Sequence, residues 1–431
     1  MAGPHEVSSD YVRRIVDDEL DELLQSLSAV SIDGAKGVGK TTTARQRGGS
    51  SFELDRPEIL ELVRADWKRL TTATTPIVVD EWQREPSVWD VVRRAVDADP
   101  SPNRFILTGA ASPDSKTTHS GAGRIVPIRM RPLTLPERGV EVPTVSLAQL
   151  CSGDRAPVTG STEVGLAAYV DEIVASGFPA IRNAAGRARR ALLDGYLDLV
   201  IERDVEETGF RTRNPAALRR WLSAYAAATS TTASLETIRD AATSGHGEKP
   251  AKTTTIPYRD VLERIWMLDS LPAWLPTMSQ LRRLNAAPKH HVADPALAAR
   301  LVGATSESLL AGGFVSPIIP RDGTFLGALF ESLVALNLRV FAQSCEARVF
   351  HLRTKGGERE VDFIVEIPDG RVVALEVKLA QSVDSNDVRH LNWLAKELGD
   401  RLLDSVVITA GPHAYRRADG IAVIPAALLG P

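Results

Sequence analysis

Residues 34–41 match the pattern G-x-x-x-x-G-K-[ST]. This match constrains the fold more strongly than any other feature of the sequence. A short apolar run at 29–32 predicts a buried strand before the match, and residues 41–45 can open a helix after it. Glycines let the backbone turn so that successive N–H groups, together with the helix N-terminus, face phosphate oxygens. Lys40 is expected to reach the β- and γ-phosphates and Thr41 to offer its hydroxyl to Mg²⁺. The alternative is an ordinary strand, turn and helix. The predicted nucleotide contacts are Gly34, Ala35, Lys36, Gly37, Val38, Gly39, Lys40, Thr41 and Thr42.

Length and composition set the class of protein. The chain has 431 residues, 43% hydrophobic and 25% charged, which is typical of a globular protein with two or three domains. A net charge of −4 gives no global basic field, so any contact with nucleic acid must come from a local patch. Cys151 and Cys345 lie far apart with no metal-ligand spacing, which predicts a reducing, cytoplasmic setting. With no apolar run of about 18 residues and no signal pattern, we expect no membrane contact.

Strand and helix signals alternate in the first third of the chain. Runs at 76–80, 104–109 and 124–130 predict strands, and 88–95 predicts a helix, so we expect a parallel sheet covered on both faces. Residues from about 165 to 310 are mostly helical, with a polar insertion near 241–255. A helix followed by strands is expected from about 322 onwards. The chain is therefore predicted to be α/β at both ends.

Acidic and hydroxyl residues close two of these strands. Asp80 ends an apolar run and is expected to hold Mg²⁺ with Thr41, while Glu81 would polarise the attacking water. Thr108 is placed to orient that water or to sense the γ-phosphate, and a simple strand-capping hydroxyl is the alternative. Arg124 could supply positive charge to the transition state, from the same chain or from a neighbouring subunit, although a surface arginine is the simpler interpretation.

The order of these segments resembles the AAA+-type prokaryotic ATPases that carry a C-terminal DUF4143-type domain. The resemblance covers nearly the whole chain and rests on residues 34–41, 79–81, 106–110, 123–125, 131–137, 177–179, 202–204 and 288–297. It implies an AAA+-type P-loop ATPase domain over 1–160, a helical, winged-helix-like middle over 161–310, and a restriction-endonuclease-like C-terminal domain over 311–431. Residues around 215–285 are similar to the winged-helix-like module, a fold often used for DNA. The polar insertion departs from the tight helix–turn–helix of that family.

A carboxylate set in the last section resembles the PD-(D/E)XK arrangement of restriction-endonuclease-like domains. Asp362 lies on one predicted strand, and Glu376 and Lys378 lie two positions apart on the next, so both face the same side. Two carboxylates can hold a divalent cation, Lys378 can orient or deprotonate water, and Glu331 could complete the metal set. The alternative is an exposed, salt-bridged Glu-x-Lys pair. Such cores also serve as nucleic-acid clamps that do not cleave.

Arg282, Arg283, Lys289, His290 and His291 form a basic cluster that could contact a phosphate backbone, with a solvated helix end as the alternative. The function we predict is Mg²⁺-dependent ATP hydrolysis coupled to DNA engagement, with DNA cleavage as one output. The rival is a non-nucleolytic switch whose nucleotide state changes binding to a protein partner. A homo-oligomer is implied only if Arg124 acts on a neighbouring subunit.

Overall fold

A computed structural model describes residues 11–110, 121–210, 212, 214–243, 252–274, 287–312, 317–321, 323–354 and 357–431. Contacts divide the chain into two compact units. Unit 1 extends to residue 131 and includes 264–267, and unit 2 comprises 132–263 and 268–431. The domain boundaries near residues 160 and 310 remain a prediction.

Unit 1 is built on a parallel sheet, which confirms the fold expected for the first third of the chain. Its strands are β1 (Ala29–Asp33), β2 (Ser50–Glu53), β3 (Ile77–Asp80), β4 (Phe105–Gly109) and β5 (Val126–Arg129), in the order β2-β3-β4-β1-β5. Strands β1, β3 and β4 are buried along their whole length, which explains their continuous apolar sequences. The helices of this unit are Val16–Leu24, Lys40–Arg45, Pro57–Ala65, Arg69–Thr72 and Ser87–Ala98.

The position of β4 determines where the polar strand ends meet. It lies between β1 and β3 and runs parallel to both. Because the carboxyl ends of parallel strands lie at one edge of the sheet, the residues that follow β1, β3 and β4 converge there.

Unit 2 contains a mixed sheet, eight-stranded in the described part of the chain, with the order β7-β13-β14-β12-β11-β10-β9-β8. A short parallel pair, β6 with β15, lies outside this sheet. The strands are β6 (Val145–Ser146), β7 (Gly160–Ser161), β8 (Ala273–Trp274), β9 (Arg348–Arg353), β10 (Glu360–Glu366), β11 (Val372–Lys378), β12 (Leu402–Thr409), β13 (His413–Arg416), β14 (Ala422–Pro425) and β15 (Leu429–Gly430).

Helices occupy most of the middle of the chain, as the sequence predicts. They are Leu147–Ser152, Leu166–Ala175, Pro179–Arg182, Gly186–Leu199, Val205–Glu207, Pro215–Ala227, Leu235–Thr243, Lys252–Arg264, Pro295–Leu301 and Ser306–Leu310, with a π-helical turn at Val200–Asp204. After Lys252–Arg264 come antiparallel bridges from Leu268 to Val292 and from Leu271 to Lys289. Three helices followed by an antiparallel pair is the order expected of a winged-helix-like module. Residues 244–251 of the predicted insertion lie outside the described residues.

Two later helices complete unit 2, Phe325–Ser344 and Arg389–Leu398. In the described part of the chain, Phe325–Ser344 is the one helix whose length and composition would suit a membrane span, and 89% of its apolar window is buried inside the protein. That burial is the arrangement of a core helix.

Candidate nucleotide site and carboxylate pocket

The backbone of residues 34–41 follows a path that its glycines permit. A Cβ atom at Gly34 would lie 2.3 Å from the carbonyl oxygen of Met130, so the close approach of these two segments requires glycine. Gly39 has a φ of +107°, which L side chains rarely adopt. Helix Lys40–Arg45 begins directly after it. Of the other predicted contacts, Val38 is buried, Lys36 is half-buried, and Gly37 and Thr42 are exposed.

The Lys40 side chain lies inside this loop. Its Nζ donates to the carbonyl oxygens of Gly34 and Ala35, at 2.8 and 2.9 Å. Burial lowers the pKa of Lys40 to about 8, and the carboxylates of Glu81 and Asp80 oppose that shift. An ammonium at the centre of a loop of backbone amides is the arrangement that binds a polyphosphate.

Asp80, at the end of β3, contacts residues at the start of helix Lys40–Arg45 and near the end of β4. The Thr41 hydroxyl donates to Asp80 Oδ1 at 2.7 Å, and the Thr108 hydroxyl donates to the same oxygen. Register explains the second contact, because Asp80 and Thr108 are paired between β3 and β4. A threonine hydroxyl beside a carboxylate fits Mg²⁺, which prefers hard oxygen ligands and takes the rest from phosphate and water. The structure thus brings the predicted Thr41, Asp80 and Thr108 together.

Glu81 follows β3 with a backbone that is uncommon for glutamate. Its φ of 54° and ψ of 43° place it in the left-handed region, and such outliers concentrate at functional sites. Burial raises the pKa of Glu81, while the charge of Lys40 opposes the shift. The Gln83 side-chain amide donates to Glu81 Oε2 and so orients the carboxylate. Gln83 is not among the residues that the sequence predicts for this site.

Arg124 does not lie beside the phosphate loop. It comes two residues before β5, and because Val126 pairs with Val30, it lies at the edge where the strands begin. The loop follows Asp33 at the opposite edge of the sheet. Asp33 lies three residues beyond Val30, which is about 10 Å at the usual rise per residue of a strand. Arg124 instead pairs with Asp97, at 2.8 Å between Nε and Oδ1. The predicted contribution from the same chain does not fit this position, and a contribution to a neighbouring subunit stays a prediction.

The segment before β1 contacts the phosphate loop, which the sequence analysis did not predict. Arg14 is buried and donates to the carbonyl oxygens of Val38 and Arg131, at 2.9 and 2.7 Å. Its backbone N–H donates to Asp17 Oδ2 at 2.6 Å. The Tyr11 hydroxyl donates to the same carboxylate oxygen at 2.7 Å. Residues 11–17, the N-terminal arm, therefore connect helix Val16–Leu24 to the phosphate loop.

In unit 2 the predicted carboxylates surround a buried lysine. Lys289 Nζ lies 2.9 Å from Glu331 Oε1, 2.9 Å from Asp362 Oδ1 and 3.0 Å from Glu360 Oε1. Its side chain is 1% exposed. Burial alone would lower the pKa of Lys289, but the three carboxylates, led by Asp362, raise it well above its ordinary value. Lys289 is therefore a buried cation with three acidic partners.

Glu376 and Lys378 lie beside this cluster on β11. Lys378 Nζ is 3.4 Å from Glu376 Oε2, which confirms that both side chains lie on one face of the strand. Burial, followed by the charge of Asp362, raises the pKa of Glu376 well above its ordinary value. These groups line a cavity of about 970 Å³, which His390 also borders. Gln381, which follows β11, is exposed and is not among the described residues that line the cavity.

The arrangement does not fit a divalent cation at the predicted carboxylates. Among the residues that the structure describes, no group of three or more His, Cys, Asp or Glu side chains is placed to hold a metal ion. Glu331 and Asp362 are close together as predicted, but the Lys289 ammonium occupies the space between them. The prediction of a metal set from Glu331, Asp362 and Glu376 is corrected for that reason.

The three described residues of the predicted basic cluster do not form a surface patch. Lys289, His290 and His291 are all buried, and His290 Nε2 donates to the carbonyl oxygen of Ala233 at 2.7 Å. Burial lowers the pKa of both histidines. Arg282 and Arg283 lie outside the described residues.

Comparison with known families divides the chain into three segments. Residues 27–138 match a family described as an AAA domain, and residues 326–429 match the domain of unknown function DUF4143. The chain therefore contains an AAA domain and a C-terminal DUF4143 domain. Residues 166–308, between the two, match a further domain of unknown function, DUF8612. The AAA segment contains the whole loop and Asp80 cluster, which confirms the family resemblance predicted from sequence.

Two uncharacterised mycobacterial proteins, from Mycobacterium bovis and Mycobacterium tuberculosis, are each 25% identical to this chain. Each alignment covers 99% of this chain and 88% of the relative. Among solved structures, a Walker-type ATPase of Pyrococcus abyssi aligns with a TM-score of 0.41 and 16% identity, over 69% of this chain and 98% of that one. The ORC2 protein of Aeropyrum pernix aligns with a TM-score of 0.32 and 15% identity, over 69% and 95%. TM-scores this low do not by themselves establish a common fold.

The carboxylate pocket combines residues from two of these segments. Glu331, Glu360 and Asp362 belong to the DUF4143 domain, whereas Lys289 belongs to the DUF8612 segment. The sequence around Lys289 gives one indication that this lysine is buried. It is followed by two histidines and then by the apolar Val292 and Ala293. Its three acidic partners are separated from it by 42 to 73 positions, and only the tertiary fold brings them together.

Proposed function

We propose that this AAA-type ATPase hydrolyses ATP with Mg²⁺ and couples turnover to nucleic-acid engagement. The observation that carries the first half is the convergence of Thr41 and Thr108 on one oxygen of Asp80, directly beside the loop that contains Lys40. These are the groups that a phosphoryl-transfer site needs for nucleotide, metal and water.

Each residue has a role that follows from its chemistry. Lys40 and the loop amides would hold the β- and γ-phosphates, and Thr41 and Asp80 would hold Mg²⁺, which would neutralise charge on those phosphates. Glu81 accepts a proton from the attacking water, and its raised pKa makes it a stronger base than an exposed glutamate. Thr108 holds the Asp80 carboxylate in place and contacts the water or the γ-phosphate.

Two features of unit 2 support nucleic acid as the partner. Helices Pro215–Ala227, Leu235–Thr243 and Lys252–Arg264, with the antiparallel bridges after them, have the order of a winged-helix-like module. The carboxylate pocket also presents Arg353 and Lys378, whose side chains are 36% and 33% exposed. Partly exposed basic side chains in an open cavity suit a phosphate backbone.

The second candidate is a regulatory switch that does not cleave nucleic acid and whose nucleotide state changes partner binding. The Lys289 ammonium among the carboxylates favours this over a nuclease. A cytoplasmic location and a homo-oligomer, in which Arg124 reaches a neighbouring subunit, complete the proposal.

ATP turnover with and without single- and double-stranded DNA tests the proposed function. We expect DNA to stimulate turnover and expect the stimulation to vanish in Lys40→Ala and Glu81→Gln. Turnover that is identical with and without DNA would contradict the coupling. If Lys40→Ala abolishes binding of a protein partner and DNA has no effect, the switch is the better description. Cleavage that Asp362→Ala removes while ATP binding persists would instead identify a nuclease.

A further inference from the structure

The Lys289 ammonium already occupies the position between the acidic side chains of the carboxylate pocket. A lysine ammonium has three N–H donors. Lys289 Nζ has three carboxylate partners, Glu331, Glu360 and Asp362, all at 2.9 to 3.0 Å. The contacts to Glu331 and Asp362 are hydrogen bonds, the contact to Glu360 is an ion pair, and the cation is enclosed by these three partners.

The other oxygens of two of these acids are also occupied. Asp362 Oδ2 accepts a hydrogen bond from the backbone N–H of Val377 at 2.9 Å. Glu360 Oε2 lies 3.5 Å from Arg353 Nη1. A Mg²⁺ ion needs oxygen ligands at about 2.1 Å in near-octahedral geometry. To gain them from Glu360 and Asp362, it would have to displace oxygens from Lys289, from Arg353 or from the backbone N–H of Val377.

The backbone holds Lys289 in this position. Its N–H donates to the carbonyl of Leu271 and its carbonyl accepts from the N–H of Leu271, both at 2.9 Å. The next residue, His290, exchanges a similar pair of bonds with Ser230 and Thr231, at 2.8 and 2.9 Å. The backbone of Lys289 therefore cannot move away from the carboxylates without breaking these hydrogen bonds.

We propose that Lys289 is the resident cation of this pocket, and that the pocket takes up no divalent metal and cleaves no phosphodiester bond. The ammonium fills the space between acids that would otherwise form a metal site. This deepens the proposed nucleic-acid engagement to binding without cutting, and rests on that proposal only for the identity of the ligand. The cavity of about 970 Å³ beside the cluster, with Arg321, Arg353 and Lys378 in its wall, stays open for an anionic chain.

Mn²⁺ binding, followed by the loss of the free-ion signal in electron paramagnetic resonance, tests the proposal on the full chain. All measurements use the Asp80→Asn variant without nucleotide, called the parent. It lacks the carboxylate of the ATP site, so failure of the ATPase proposal does not affect the result. We expect no Mn²⁺ to bind the parent. The added substitution Lys289→Ala should create one Mn²⁺ site per chain, at least tenfold tighter than any binding to the parent, and Mn²⁺ should raise its melting temperature but not that of the parent.

Each outcome decides the proposal. One Mn²⁺ ion bound to the parent and lost on Glu376→Gln would overturn it, because the pocket would then hold a metal beside Lys289. A folded Lys289→Ala chain that gains no Mn²⁺ would overturn the assigned position of the ammonium. If Lys289→Ala does not fold, the charge-balanced Lys289→Met, Asp362→Asn double variant replaces it. Recovery of folding in that variant supports Lys289 as the counter-ion, and failure to recover contradicts it.

Discussion

Thr41 donates its hydroxyl to Asp80 at 2.7 Å across 39 positions of sequence, and this contact links the phosphate loop to the end of β3. Strand β4 lies between β1 and β3, so the contact depends on parallel strands ending at a common edge. Thr108, at the end of β4, approaches the same carboxylate oxygen. The nucleotide site is therefore assembled by the sheet as much as by the loop.

Replacing Asp80 with Asn should lower kcat for ATP by at least about 100-fold, because an amide is a weaker Mg²⁺ ligand than a carboxylate. Binding of a fluorescent ATP analogue without Mg²⁺ should be retained, since the loop and Lys40 are unchanged. Asp97→Asn is the matched control, because Asp97 is a carboxylate of the same unit that pairs with Arg124 far from the loop. Equal losses in the two variants would show that Asp80 has no special role.

Glu81→Gln should lower kcat by roughly 10²- to 10⁴-fold, the usual contribution of a general base, with the affinity for ATP retained. Gln83→Ala should cause a smaller loss, because it leaves the carboxylate in place but removes the amide that orients it. Steady-state turnover and analogue binding measure both effects. Full activity of Glu81→Gln would assign Glu81 a purely structural role.

Local sequence was sufficient to predict the centre of the nucleotide site. The strands, the loop and the Asp80–Glu81 pair are each encoded within a few residues, and the register of parallel strands then brings Thr41, Asp80 and Thr108 together. Arg124 shows the limit of that reasoning. Its distance along the chain does not reveal at which edge of the sheet it lies, and β5 places it at the edge away from the loop.

Contacts between distant segments could not be predicted in the same way. The sequence predicts Lys289 as part of a basic cluster that could contact phosphate. Its acidic partners lie 42 or more positions away, so nothing nearby in the sequence points to them. Cys151 and Cys345 give no sign in sequence of being neighbours, yet their side chains are within hydrogen-bonding reach of each other. Arg14 lies 24 positions before Val38 and donates to its backbone carbonyl, an acceptor that no residue-specific sequence pattern marks.

Arg14→Met should lower the stability of unit 1 by about 2–3 kcal/mol and weaken ATP binding, because it removes charge-assisted hydrogen bonds to the Val38 and Arg131 carbonyls. The adjacent Arg13 provides a matched control, since it pairs with Asp18 at the surface and its side chain is 65% exposed. Arg13→Met should change stability by no more than about 0.5 kcal/mol. Thermal unfolding and ATP titration of the two variants measure the difference, and equal behaviour would contradict the role of the arm.

A buried histidine in unit 2 should make the protein sensitive to mild acid. His351 is 1% exposed, its Nε2 lies 3.0 Å from the carbonyl oxygen of Ala287, and its Nδ1 has no hydrogen-bond partner among the described residues. Burial, followed by the positive charge of Lys289, lowers the pKa of His351 to about 3. The unfolded chain, with an ordinary histidine pKa of about 6.5, binds the proton more readily than the folded protein. Stability from the neutral ring is thus fully present above pH 6.5 and is lost as the pH falls towards 3.

His351→Gln keeps a side-chain amide that can donate to Ala287 and does not titrate. Between pH 7 and pH 5 we expect the wild-type protein to lose about 2 kcal/mol more stability than this variant, at about 1.4 kcal/mol per pH unit below 6.5. Urea unfolding of both proteins across that range measures the difference in slope. The remaining slope in the variant should come partly from the buried His290 and His291. His413 is exposed, so His413→Gln should leave the wild-type profile unchanged. An unchanged profile in His351→Gln would contradict the prediction, because it would show that the ring has the same pKa in the folded and the unfolded protein.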